Sequence, residues 1–112
     1  MLTSGKAVKV TVFLCDGAKR RGVPVHAGIL DFLFHSGIAG ATVTKGVAGF
    51  GRAHSLHSAS ILDISDNLPV KIEFIETREK VDEVLGELER RAGSGVIEVQ
   101  ETTVIVPNQD AH

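Results

Sequence analysis

The chain has 112 residues, which fits a single domain, and its 12 basic and 14 acidic side chains give a net charge of −2 that argues against general binding to nucleic acids or membrane surfaces. Its single cysteine, Cys15, excludes a disulfide within the chain and indicates a reducing compartment. Because no apolar run approaches the ~20 residues of a membrane helix, we expect a cytoplasmic protein that is not embedded in a membrane.

The first half of the chain predicts a strand, a helix and a second strand. Apolar side chains alternate from Val8 to Leu14, which is typical of a strand, and residues 16–22 form a polar loop. A helix is predicted from Pro24, a residue that suits a first helical turn, to Gly37. The second strand is predicted over residues 41–47. The predicted apolar face of the helix consists of Val25, Ile29, Phe32 and Leu33, widened by Leu30 and Phe34.

The second half predicts the same order of elements. Residues 59–64 indicate a short extended arm, and alternation over residues 68–75 predicts a third long strand. Thr77 suits an N-cap, and an apolar stripe at helical spacing follows it as far as Gly93. A fourth strand is predicted over residues 96–106.

The order β-α-β-β-α-β predicts an α+β, ferredoxin-like fold, with a four-stranded antiparallel sheet and both helices on one face. The other face would carry Phe13, Cys15, Lys71, Ile75 and several threonines. No predicted element covers that face. Since uncovered apolar faces are usually buried by self-association, we expect an oligomer.

Two glycine-containing segments resemble those of a known family. Gly-Phe-Gly-Arg at residues 49–52, a loop of 15 residues, and Leu-Pro-Val-Lys-Ile-Glu at residues 68–73 are similar to the strand–T-loop–strand passage of PII signalling proteins. Gly-Ser-Gly-Val-Ile at residues 93–97 resembles their phosphate-facing B-loop. These matches indicate a relationship to PII proteins.

The resemblance is closer to the PII-like branch known as domain of unknown function 190. The residues that carry it are Gly-Val-Ala-Gly-Phe-Gly at 46–51, His-Ser-Ala-Ser at 57–60 and Asp-Asn-Leu-Pro at 66–69. The match covers a core of about residues 7–106 in a single domain of residues 1–112, and leaves residues 107–112 as a tail.

What the resemblance implies is a homotrimer with ligand clefts between subunits. In PII relatives these clefts bind adenine nucleotides, and a T-loop, here about residues 51–67, docks on a membrane transporter, an enzyme or a regulator. The resemblance implies no catalytic residue and no required cofactor, so the protein would not be an enzyme. The implied ligand-binding residues are Gly49, Gly51 and Arg52 at the T-loop base and Arg91, Gly93, Ser94 and Gly95 in the B-loop.

The sequence departs from the PII pattern at several positions. It contains no tyrosine, which excludes tyrosine uridylylation. Val96 stands where the PII B-loop continues with lysine, and Val104 and Val106 align with two phosphate-binding arginines. Each charge-assisted hydrogen bond lost from a triphosphate site removes roughly 1.5–3 kcal/mol. We therefore expect AMP, ADP, a cyclic nucleotide or another anion to fit better than ATP.

His54 and His57 form a His-x-x-His pair, which is also compatible with metal binding. A zinc site needs a third or fourth ligand, which another loop or subunit would have to supply. The alternative to a nucleotide-binding protein is therefore a trimeric divalent-metal-binding protein, similar to metal-tolerance relatives of the same fold. The simpler interpretation is that His57 forms hydrogen bonds within its own loop, and on that interpretation the protein has no metal site.

Overall fold

Four strands and two helices carry the fold in the computed structural model, which describes residues 2–15, 17, 19–50, 57–58 and 68–107. The elements in chain order are β1 (Gly5–Cys15), β2 (Lys19–Arg20), β3 (Val23–Pro24), α1 (Val25–His35), β4 (Ala41–Lys45), β5 (Ala48–Gly49), β6 (His57–Ser58), β7 (Pro69–Glu76), α2 (Arg78–Ala92) and β8 (Val96–Val104). The main sheet has the order β4-β7-β1-β8, and all its neighbouring strands are antiparallel. This order confirms the ferredoxin-like prediction.

The hydrophobic core lies between this sheet and the two helices. Register places Val12 of β1 opposite Ile72 of β7 and Ile97 of β8, so alternate residues of neighbouring strands share the covered face. Burying a side chain of this size stabilises the fold by about 1.5–3 kcal/mol. The largest fully buried side chains are Val10, Val12, Ile29, Leu33, Val70, Ile72, Val81 and Leu88.

Helix α2 begins as predicted. The hydroxyl of Thr77 accepts a hydrogen bond from the backbone amide of Lys80 at 3.2 Å, which satisfies one of the amides that a helix start leaves without a partner. The predicted widening of the α1 apolar face is wrong. Leu30 is 37% exposed and Phe34 is 77% exposed, because each lies one position beyond a buried residue and so points away from the sheet.

Several element boundaries differ from the predicted ones. β4 ends at Lys45 rather than at residue 47, and β8 ends at Val104 rather than at residue 106. The segment beyond β4 forms a separate pairing of β5 with β6. The predicted polar loop of residues 16–22 contains β2, which pairs with β3. The extended arm predicted at residues 59–64 and most of the tail lie outside the described residues.

The second face of the sheet is open in the single chain. Phe13 is 41% exposed, and its neighbour on β8, Val96, is 43% exposed. Cys15 and Lys71 are also exposed, and Ile75 is half-buried, so the predicted composition of this face is confirmed. Both helices pack against the opposite face, although Ala7 and Thr11 on this face are buried.

The two helices have 11 and 15 residues, and in the part of the chain that the structure describes neither is long and apolar enough to span a membrane.

Candidate functional site

One end of the sheet collects the loops that the sequence analysis singled out. Register places Cys15 opposite Pro69, Lys45 opposite Val70, and Phe13 opposite Val96. The ends of β1 and β4 therefore lie beside the beginnings of β7 and β8. We call this end of the sheet the loop end, and define it by residues 13–15, 19–24, 45–50, 68–70 and 91–96.

Two glycines at the base of the predicted T-loop pack closely against Pro69. A Cβ atom added at Gly46 or at Gly49 would lie only 2.9 Å from Pro69 Cγ. The amide of Gly46 also donates a hydrogen bond to the Pro69 carbonyl at 2.7 Å. Close backbone approach therefore explains both glycines. The next predicted ligand residues, Gly51 and Arg52, lie outside the described residues.

The B-loop segment is fixed by its contacts with α2 and β1. Gly93 ends α2 with a φ of +57°, a backbone conformation that favours glycine. At Gly95 a Cβ atom would lie 2.6 Å from the Phe13 carbonyl oxygen and 2.8 Å from Leu14 Cδ2. The Gly95 amide donates to the Ala92 carbonyl at 2.9 Å. Gly93 thus permits the turn that ends α2, and Gly95 lets the loop, with Ser94 between the two glycines, pack against the end of β1.

Arg91 is anchored on the helix layer. Its Nε donates to Glu87 Oε2 at 2.7 Å, its Nη1 donates to the Gly28 carbonyl at 3.4 Å, and its guanidinium lies 5.0 Å from the centre of the Phe32 ring. Glu87 also accepts hydrogen bonds from Arg90. Hydrogen bonds from Arg90, and secondly from Arg91, lower the pKa of the Glu87 carboxyl, so it stays ionised.

A cavity of about 640 Å³ follows the β4 edge of the sheet. Thr42, Thr44 and Ile75 supply hydroxyl and apolar groups to it, and Glu73 supplies a carboxylate that pairs with Lys9 at 3.3 Å. The cavity therefore offers hydrogen-bonding groups beside apolar surface, as small-molecule sites do.

A buried carboxylate, which the sequence analysis missed, positions one wall of this cavity. Glu76 is only 3% exposed. Its Oε1 accepts from the Ala39 amide at 3.0 Å and its Oε2 accepts from the Thr77 amide at 3.2 Å. It thereby ties the loop that enters β4 to the start of α2. An acidic residue that ends an apolar strand directly before an N-cap is the sequence signal for such a contact.

A smaller cavity, of about 250 Å³, lies on the helix layer where Arg20 and Arg21 face the first turn of α1 and Arg91. Its lining is basic and apolar.

No cluster of three or more His, Cys, Asp or Glu side chains that could hold a metal occurs within the described ranges. Of the two histidines in the alternative prediction, His54 lies outside those ranges. His57 is described only through its backbone pairing with Gly49. Metal binding by this pair therefore stays a prediction.

Comparison with solved structures identifies the class of fold. The chain is similar to CPII, a nitrogen regulatory PII-like protein from Thiomonas intermedia K12 solved with ADP, AMP and bicarbonate, with 22% identity, 91% of each chain covered and a TM-score of 0.66. It is also similar to a putative PII-like signaling protein from Thermus thermophilus, with 16% identity, coverage of 93% and 94%, and a TM-score of 0.66. These likenesses show a PII-like fold.

The family is shown by sequence. The model of domain of unknown function 190, described as an uncharacterized ACR, matches residues 7–104, and the chain belongs to this family. A UPF0166 protein of Methanocaldococcus jannaschii is 36% identical over 83 residues, which cover 74% of this chain and 76% of the relative. A UPF0166 protein of Aquifex aeolicus is 49% identical over 52 residues, and that alignment covers 46% of this chain and 54% of the relative.

Proposed function

We propose that the protein is a non-enzymatic PII-like signalling protein that binds an adenine nucleotide in clefts between the subunits of a homotrimer. The observation that carries this proposal is the loop end, where the base of the T-loop segment, beyond β4, and the Gly93–Gly95 loop, before β8, lie at the same end of one sheet but at its two opposite edges. In a trimer the glycine loop of one subunit would therefore face the T-loop base of its neighbour. The ADP and AMP bound to CPII support adenine as the base of the ligand. Residues 51–67 would change shape with the ligand and bias a protein partner, such as a membrane transporter or an enzyme, between bound and free states.

The open face supports the trimeric assembly. Phe13 and Val96 are more than one-third exposed on it, and burying them between subunits would remove apolar surface from water. In such an assembly the 640 Å³ cavity at the β4 edge would be closed by a neighbouring copy. The base would then lie on the threonine-lined wall, with its phosphates directed to Arg52 and to the glycine loop of that neighbouring copy.

The number of phosphates in the proposed ligand follows from the cations that are missing at three positions of the PII pattern. Val96 and Val104 carry no charge, and the Val106 amide is tied to the Ser4 hydroxyl at 2.8 Å. A triphosphate would bring more negative charge into the cleft than these residues can neutralise. We therefore infer that AMP, ADP or a cyclic nucleotide is the effector, with ATP the weaker ligand.

Isothermal titration calorimetry on the purified oligomer tests this function. AMP, ADP, cyclic AMP and ATP are titrated separately into the wild type, Arg52→Ala and Arg78→Ala. Arg52→Ala should weaken binding by about tenfold or more, because it removes a charge-assisted hydrogen bond. Arg78→Ala is the matched control: it also removes one guanidinium, but at the opposite end of the sheet, where Arg78 pairs with Asp82 and Glu101.

Two results would contradict the proposal: heat that does not saturate with any nucleotide, or equal loss of affinity in both variants. Gly95→Ala is unsuitable as a binding test because its Cβ would collide with β1. Titration of Zn²⁺ into the wild type and into His54→Ala/His57→Ala tests the metal alternative separately.

A further inference from the structure

A second basic site lies on the helix layer, away from the open face of the sheet. The cavity of about 250 Å³ is bounded by the β2–β3 hairpin, the first turn of α1 and the last turn of α2. Three arginines line it: Arg20 and Arg21 from the hairpin, and Arg91 from α2. Its remaining walls are mainly apolar, and include Val23, Pro24 and Ile29. We call this cavity the arginine notch.

The turn that presents Arg21 is unusual for its sequence. Arg20 pairs with Val23 across a two-residue turn, in which Arg21 has a φ of +53° and Gly22 a φ of +81°. Positive φ at both central positions is the type I′ geometry, which favours asparagine, aspartate or glycine at the first of them. Arg21 is a strained choice for turn formation alone, and a functional demand on its side chain explains it.

The notch has more positive side chains than acidic partners for them. Arg20 and Arg21 are exposed, and among the described residues neither has an acidic partner. Arg91 shares Glu87 with Arg90, so one carboxylate serves two guanidinium groups. Contacts to Glu87, Gly28 and Phe32 hold Arg91 in place. The notch therefore combines one positioned cation with two that are available.

The start of α1 adds to this positive potential. The N-cap residue, Pro24, makes no side-chain hydrogen bond to the helix, and the first turn contains no acidic side chain. The start of a helix carries partial positive charge, and an anion placed there is stabilised.

We propose that the arginine notch binds a compact oxyanion of the phosphate type, at a site separate from the inter-subunit nucleotide cleft. The proposal assigns Arg91 to the notch instead of the nucleotide cleft, where the family resemblance had placed it, because its contacts hold it on the helix layer. Guanidinium groups form paired hydrogen bonds with phosphate oxygens. A phosphate is favoured over a single carboxylate because its oxygens point in several directions and can meet arginines from both the β2–β3 hairpin and α2. The apolar walls leave room for a small organic group beside the phosphate.

Nuclear magnetic resonance of the ¹⁵N-labelled, full-length oligomer tests the site, both without ADP and with saturating ADP. Inorganic phosphate and phenyl phosphate are titrated separately, with sodium chloride at equal ionic strength as the blank. Saturable shifts are expected at the amides of Gly22, Val25 and Gly28 and at the Arg91 Nε. Tighter binding of phenyl phosphate would identify a phosphate monoester as the natural ligand, and equal binding would identify inorganic phosphate.

Arg21→Gly separates binding from folding. Glycine suits a φ of +53°, so this variant should keep or raise the melting temperature while binding phosphate about tenfold more weakly. Arg78→Ala, which removes a guanidinium at the other end of the sheet, should bind as the wild type does. Unchanged phosphate affinity in Arg21→Gly would overturn the proposal. So would shifts confined to residues 93–96, or shifts that ADP suppresses, since these would assign the phosphate to the nucleotide cleft.

Discussion

The two ends of the sheet are built in opposite ways. At the end where β7 enters α2, directed hydrogen bonds join the elements: Glu76 accepts from two amides, Thr77 caps α2, and Ser4 bonds to Val106. At the loop end, close packing at Gly46, Gly49 and Gly95 joins them instead. Arg20, Arg21 and Arg91 line a cavity on the helix layer at this end. One end satisfies its polar groups internally, whereas the other leaves cations available. On the proposed function, the loop end would hold the phosphates of a nucleotide, and the cavity wall that Glu76 positions would hold the base.

The loop end should be the more sensitive to added volume. Gly95→Ala places a Cβ 2.6 Å from the Phe13 carbonyl and should lower the free energy of unfolding by about 2–3 kcal/mol, because backbone on both sides must shift. Urea unfolding followed by circular dichroism measures the change. Gly86→Ala is the control, since a Cβ there meets no atom within 4 Å and glycine in a helix is unfavourable. A loss below about 0.5 kcal/mol in Gly95→Ala would refute the packing argument.

The opposite end should be sensitive to lost hydrogen bonds instead. Glu76→Ala removes the acceptor for the amides of Ala39 and Thr77 and should lower the free energy of unfolding by about 2 kcal/mol. Amide hydrogen exchange at Ala39 should accelerate most. Glu73→Ala is the comparison, because that carboxylate lies on the open face and pairs only with Lys9 in the described residues. Equal effects of the two variants would show that the buried contact has no special role.

The N-cap of α2 lies at the same end of the sheet, and its removal should cost less stability than the removal of Glu76. Thr77→Ala removes the acceptor for the Lys80 amide and should lower the free energy of unfolding by about 1 kcal/mol. Thr77→Ser keeps the hydroxyl and should recover most of the stability. Chemical denaturation of the three proteins under identical conditions provides the measurement. If serine were no better than alanine, the hydrogen bond would not be the source of the effect.

The smallest expected effect is the pH dependence of the Glu87 cluster. Hydrogen bonds from Arg90 and Arg91 lower the pKa of Glu87 in the folded state. Its contribution to stability is therefore complete above the ordinary carboxyl pKa, and is lost as the pH falls through the lowered value. The difference in melting temperature between the wild type and Glu87→Gln should shrink on acidification. If the difference in melting temperature grew at low pH instead, ionised Glu87 would not be stabilising the folded state.

Sequence reasoning succeeded where the information is local. Alternation in β1 and β7, the helical stripe of α2 and the Thr77 cap each depend on residues within a few positions of one another. The glycines of residues 93–95 stand out in the sequence as well, but the folded chain explains Gly95 by close packing on β1, which no local pattern encodes.

The remaining features depend on contacts between distant parts of the chain. Glu76 reaches an amide 37 positions away, and Arg91 reaches a carbonyl 63 positions away. The β2–β3 hairpin has two residues in each strand, too few to produce an alternating pattern. Its grouping of Arg20 and Arg21 beside Arg91 became visible only in the folded chain.

Native mass spectrometry of the purified protein with ADP tests the central claim most directly, because it counts subunits and bound nucleotides together. The account predicts a trimer that binds up to three ADP molecules, with the occupancy reduced in Arg52→Ala and unchanged in Arg78→Ala. A monomer, or a trimer that remains free of ADP even at millimolar concentrations of the nucleotide, would contradict it.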